Sequence, residues 1–162
     1  MLKKLVLICC AMLITFGAGM NIYAEETTGI TKEQELLIAL DIIGLNSYGE
    51  IDNHQEITRA EFADICGKLL NINPSTTASK AYFTDVMPDK WYAHTINTLA
   101  EQGIIAQATN RLFEPDRAIT LNEAVKMLTC IMGYGDYAES KGGYPDGYIS
   151  AAASQNMLNG IT

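Results

Sequence analysis

Residues 56–67 read EITRAEFADICG. Thr58 stands three residues ahead of Glu61, and Phe62, Ile65, Cys66, Leu69 and Leu70 follow at helical spacing. This is a capping box: the Thr side chain caps the third helical amide, and the Glu reaches back to the Thr amide. It predicts a helix opening at Arg59. Arg59 itself takes no part in the cap, so the fold is expected to survive its removal. It lies where free helix amides and the helix dipole favour an anion, and its guanidinium suits two-pronged capture of a carboxylate. Arg59 is therefore a candidate ligand-binding residue.

Working outward, the stretch has an echo. An offset of 62 lays Thr58 and Glu61 on Thr120 and Glu123, Ile42-Ile43 on Ile104-Ile105, and Cys66 on Leu128, with no gap from Leu37 to Asn73. A third copy begins near the end, where Ile149, Gln155 and Met157-Leu158 fall on Ile96, Gln102 and Ile104-Ile105. Repeats of this length, each too small to bury its own apolar face, stack on their neighbours. Each unit reads helix, loop, helix. The opening helix of the second runs from about Lys90 to Gln102, with Asp89 as N-cap and Trp91, Ile96, Leu99 and Ala100 on one face. Gly103, with Asp41 and Asn156 at the matching positions, supplies the left-handed residue that a helix end needs. The first helix of the first unit has its own start, a capping box of Thr31 and Gln34. The second helices bury Phe62, Ile65, Cys66, Leu69 and Leu70, and Ala124, Met127, Leu128, Ile131 and Met132. The polar stretches 73–81 and 133–143 read as joins.

The organisation that follows is a signal peptide at 1–24, a first repeat at 25–73, a linker at 74–82, a second repeat at 83–135, a linker at 136–143 and a partial third repeat at 144–162. The signal rests on basic Lys3-Lys4, an uncharged apolar run from Leu5 to Met20, and Ala24 before Glu25-Glu26. That run is shorter than the roughly 20 residues of a spanning helix. Cleavage takes two of the 11 basic residues and leaves 9 against 19 acidic ones, a net charge of −10 against −8 for the whole chain. It leaves Cys66 and Cys130, which sit in apolar stripes and read as small buried hydrophobes rather than a disulfide framework. So acidic a chain lacks the basic surface that nucleic acid requires, and any anion site on it must be local. No membrane segment remains after cleavage.

Reactive constellations are missing. His54 and His94 have no catalytic partners at matching positions, and no nucleophile elbow, phosphate loop or zinc spacing is present. Taking Gly49 as the sixth position of a calcium loop puts Gly44, Tyr48 and Gln55 where oxygen ligands belong, which excludes an EF-hand. The reading is non-enzymatic, with no metal and no cofactor. Trp91, the only Trp, is either a core residue or a platform for a sugar ring. Asp85 in "YFTDV" (82–86) either caps or binds, and "FEPDRAIT" (113–120) is a turn leading into the second capped helix.

Phe83-x-Asp85-Val86, Trp91-x-x-x-x-Ile96-x-x-Leu99, Gly103-Ile104-Ile105, Phe113-x-Pro115 and Ile57-Thr58-Arg59-Ala60-Glu61-Phe62-Ala63 together resemble the S-layer homology family. The resemblance implies an all-α fold of helix–loop–helix repeats packed as a three-pronged, pseudo-threefold domain, here with the third unit incomplete. It implies non-covalent anchoring of an exported protein to the wall of a Gram-positive bacterium, through pyruvylated secondary wall polysaccharide. The Arg of the Thr-Arg-Ala-Glu motif is the residue that such proteins turn toward the acidic sugar, which carries over to Arg59 as the one full match; Glu61, Trp91 and Asp85 stand beside it as the other ligand-binding candidates. Thr58, Glu61, Thr120 and Glu123 are the helix caps. The second unit reads Thr120-Leu121-Asn122-Glu123, keeping the cap and losing the cation; Arg111 and Arg117 are the candidates to replace it. Two alternatives stand beside wall binding: a protein–protein repeat that self-associates in a surface layer, and a fragment of a larger anchored protein.

Overall fold

The computed structural model describes residues 32–40, 44–45, 56–73 and 80–159. The signal segment, Thr31, Asp41, His54 and most of the first linker lie outside them. Six helices make up the described chain: α1 (Lys32–Ala39), α2 (Arg59–Leu69), α3 (Ala93–Glu101), α4 (Leu121–Ile131), α5 (Gly135–Ser140) and α6 (Asp146–Ser154). No strand occurs among the described residues. The protein is helical there, and its one β-type pairing is an isolated antiparallel bridge between Thr58 and Ala118.

α2 packs on α3 and on α4, α4 also packs on α5 and α6, and α5 packs on α6. Two close approaches depend on glycine. A Cβ on Gly67 of α2 would overlap the Cγ2 methyl of buried Thr95 on α3, and one on Gly147 of α6 would overlap the carbonyl oxygen of Ala138 on α5. The core joins Leu37 of α1 to Phe62, Ile96, Leu99, Phe113, Val125, Leu128 and Met157, all fully buried or nearly so. Each such side chain contributes about 1.5–3 kcal/mol of transfer free energy. Phe113 lies on a loop, and packs its ring at 5.4 Å from that of Phe83.

Both Thr-x-x-Glu stretches open helices with reciprocal cap bonds. Thr58 Oγ1 accepts from the Glu61 amide at 3.2 Å, and Glu61 Oε2 accepts from the Thr58 amide at 2.8 Å. The equivalent distances at Thr120 and Glu123 are 3.4 and 2.9 Å. Gly103 (φ +74°) and Asn156 (φ +59°) are left-handed just beyond α3 and α6.

Several details differ from the sequence reading. α3 begins at Ala93, not Lys90, and its N-cap is Tyr92 with no side-chain bond, so Asp89 does not cap it. The reason is a turn: the Lys90 amide bonds the Met87 carbonyl and the Ala93 amide bonds the Lys90 carbonyl, so the chain is still rounding a corner at Trp91. Trp91 consequently lies outside the helix and is 59% exposed, while Tyr92 takes the buried place. On α2 the buried face is Ala60, Phe62, Ala63, Cys66 and Gly67, with Ile65, Leu69 and Leu70 only partly covered. The small residues face inward because α3 comes so close. On α4, Val125 and Thr129 join the buried set and Ile131 and Met132 are partly covered. Cys66 is fully buried, and Cys130 only partly. Burial, acting against a hydrogen bond with Tyr148, pushes the Cys130 thiol above its usual pKa. The segment 136–143 is not a bare join: α5 forms there and buries Ala138 against α6 and α4.

Candidate functional site

The loops that lead into α2 and α4 lie side by side. The Ile119 amide donates to the Ile57 carbonyl at 3.0 Å, the Arg59 amide to Arg117 at 2.8 Å, and the Ala60 amide to Pro115 at 3.0 Å. This pairing has a direct electrostatic result. The first four amides of a helix, counted from its N-cap, are its unsatisfied donors, and in α2 all four are used: Thr58 on Glu61 Oε2, Arg59 and Ala60 on the partner loop, and Glu61 on Thr58 Oγ1. The free-amide anion site expected at this helix start is absent, because the neighbouring loop fills it.

The same pairing decides what Arg59 touches. Its Nε donates to the Phe113 carbonyl at 2.7 Å, and its guanidinium carbon lies 4.5 Å from the centre of the Phe113 ring. Its Nη1 stands 2.6 Å from Glu123 Oε1, with the Arg59 side chain only 14% exposed. Arg59 is thus a bridge from α2 to the cap of α4, not a bare cation.

Glu123 is the hub. Its Oε1 also takes Arg117 Nη2 at 2.6 Å, and its Oε2 holds the Thr120 amide and hydroxyl, each at 2.9 Å. Burial by itself would raise the Glu123 carboxyl, but the Arg117 hydrogen bond, the Thr120 bonds and the Arg59 charge outweigh it. They hold it at about 2, well below the usual 4.5.

Arg59 and Glu123 line a groove of about 270 Å³. Ile104, Ile105, Ala106, Gln107 and Ala108 form one side, Lys126 and Met127 of α4 another, and Tyr144 closes it. Tyr144 is 49% exposed. The Lys126 ammonium sits 5.4 Å from its ring centre and 5.5 Å from that of Tyr148. The groove therefore joins two cations, one carboxylate, an apolar floor and an aromatic wall. That is a surface suited to a ligand with a carboxylate at one point and a flat apolar face at another.

Of the four ligand-binding candidates, only Arg59 lines the groove. Glu61 is occupied by the Thr58 cap. Trp91 stands outside the groove with its ring edge-on to Tyr92, centres 5.1 Å apart. Asp85 neither caps a helix nor faces the groove: its two oxygens take the amides of Phe113 and Glu114 at 2.8 and 2.7 Å. It works with Arg59 all the same, because the two grip Phe113 by its amide and its carbonyl. Neither loop arginine stands in the groove. Arg111 reaches the Ala81 and Tyr82 carbonyls at 3.3 and 3.4 Å, and Arg117 divides itself between Glu114 and Glu123. Lys126, Gln107 and Tyr144 are the residues that sequence reasoning missed. Lys126 carried a signal, since it stands three residues after Glu123 and so on the same side of α4. Among the described residues, no group of acidic, His or Cys side chains could hold a metal ion, and no helix is long and apolar enough to cross a membrane.

Residues 82–125 match the S-layer homology domain. A surface layer protein of Brevibacillus choshinensis is 28% identical over 171 residues, covering 99% of this chain and 15% of that protein. A middle cell wall protein of Brevibacillus brevis is 28% identical over 174 residues, covering 99% and 16%. A surface-layer 125 kDa protein of Lysinibacillus sphaericus is 26% identical over 145 residues, covering 84% and 12%. The chain thus spans at most 16% of the length of these relatives. The motif order of Phe83 to Asp85, Gly103 to Ile105 and Phe113 to Pro115 falls inside the matched segment, so this part of the chain is similar to the S-layer homology domain.

Proposed function

We propose that this chain is a non-catalytic anchoring module, exported to the bacterial surface, that holds an acidic, pyruvylated secondary wall polysaccharide in the groove beside Arg59. On this reading 25–73 and 83–135 are two repeat units and 144–162 opens a third. Tyr144 then comes from the third unit to a groove built by the first two. One observation carries the reading: in a chain of net charge −8, Arg59 and Lys126 converge on one groove beside an exposed aromatic ring. Lys126 and Arg59 supply the counter-charge for a pyruvyl carboxylate, and Tyr144 offers a face for the sugar. The surface-layer and wall proteins among the relatives support the location.

Pull-down of the mature chain on native walls, and on walls stripped of pyruvyl groups, tests this. Retention on native walls and loss from stripped ones is the expected result; equal binding to both sinks the idea. A second reading, self-association within a surface layer, draws on Met87 and Trp91, which are 54% and 59% exposed on one turn. Sedimentation without polysaccharide separates the two, since only the second predicts assembly there.

A further inference from the structure

Arg59 has five N–H donors in a fixed fork. Its bonds to Phe113 and Glu123 engage Nε and Nη1. A cation so close to a carboxylate would ordinarily be cancelled by it, and a neutral pair attracts an anion weakly. Here the carboxylate is shared. Arg117 approaches Glu123 with both terminal nitrogens, Nη2 at 2.6 Å from Oε1 and Nη1 at 3.3 Å from Oε2. Arg59 meets the same carboxylate through Nη1 alone. Arg117 is anchored from its far side by Glu114, whose Oε2 takes Nε at 2.9 Å, and its Nη1 donates to the Ala118 carbonyl at 3.0 Å. The Arg117 fork is therefore fixed by its own loop and turned onto Glu123 from outside the groove.

We infer that Arg117 is a positioning residue for the groove: by engaging the Glu123 carboxylate, it leaves the charge of Arg59 for an incoming anion. The inference rests on the binding reading above and deepens it. Without Arg117, the Glu123 carboxylate at the groove faces the Arg59 guanidinium alone. With it, two guanidiniums share the Glu123 carboxylate, Glu114 balances Arg117 from outside the groove, and Lys126 adds the groove's second cation. The missing cation at Leu121 is thus offset by an arginine that acts through Glu123 rather than on the ligand.

The test uses the full mature chain and two probes, a methyl hexoside carrying a pyruvyl ketal and the same hexoside without it. Affinities are read by titration calorimetry at two salt concentrations. Arg117→Gln should weaken the ketal about tenfold, the effect of one partly screened charge at groove distance. It should leave the neutral sugar unchanged and flatten the salt dependence. Arg117→Lys, which keeps the charge, should recover most of the loss. Equal loss for both sugars would mean that Arg117 only supports the fold, and an unchanged ketal affinity overturns the inference outright. Should Arg117→Gln fail to fold, Arg117→Lys carries the same comparison, because loss of the fork then shows as a smaller, ketal-selective loss. If the wild-type chain does not prefer the ketal, the anchoring reading fails. If it does and Arg117→Gln keeps the preference, only the Arg117 inference fails.

Discussion

Arg59 and Glu123 meet at 2.6 Å, joining the first turn of one capped helix to the capping carboxylate of the other. Neither residue belongs to a single function. Arg59 holds the Phe113 loop and lines the groove, while Glu123 caps α4 and orders two arginines. The consequences can be separated by substitution.

Arg59→Ala removes the bond to the Phe113 carbonyl and one of the two cations on Glu123. A charge-assisted hydrogen bond contributes about 1.5–3 kcal/mol, so urea denaturation should show a loss of this order. Arg59→Lys keeps the charge and loses the fork. It should recover part of the wall binding but little of the stability. A stability unchanged in both variants would refute the bridging role.

Acid should probe Glu123. Its folded carboxyl is held at about 2 against a usual 4.5. The stabilisation is therefore fully present above the higher value and is lost as pH falls toward the lower one. The melting temperature should drop across that window, and Glu123→Gln should show a shallower drop from a lower starting point. Parallel curves for the two proteins would contradict this.

Asp85→Ala leaves the Phe113 and Glu114 amides without their acceptor. The cost should be about 1–3 kcal/mol, and amide hydrogen exchange at these two residues should accelerate far more than in the middle of α4. Asp85→Asn keeps one acceptor and should protect only one of the two amides. Uniform acceleration across the protein would point to global destabilisation instead.

Gly67→Ala drives a methyl into Thr95. Overpacking of this kind costs about 1–3 kcal/mol. Thr95→Ser removes the Cγ2 that the methyl meets, so the double variant should be more stable than Gly67→Ala alone. If the two effects simply add, the contact is not the cause.

The features readable in the sequence are the local ones. Thr58 with Glu61, and Thr120 with Glu123, need only three residues of spacing to declare a helix start, and Gly103 and Asn156 need only their own backbone freedom. What escaped were relationships made by packing. Arg59 reads as a bare cation until the second loop is laid beside it, because its partner, Glu123, lies far along the chain. Trp91 has the apolar spacing of a helix face, but the turn at Met87–Lys90 delays the helix and swings the indole outward. The polar, glycine-rich sequence around Gly135–Ser140 hides a helix whose reason is Ala138 and the close approach of Gly147. Tyr144 could not be assigned to a groove before it was known which elements the groove lies between.

The paired loops also set an order of assembly. The amides of Arg59 and Ala60 find their acceptors on Arg117 and Pro115, more than fifty residues further along. Closing so long a loop has an entropic cost that must be met before the contact is made. A chain emerging from its N-terminus carries α2 with an unfinished first turn until that second stretch arrives. Completion of the earlier helix thus waits on the later one, and the groove between them comes into being only when both are present.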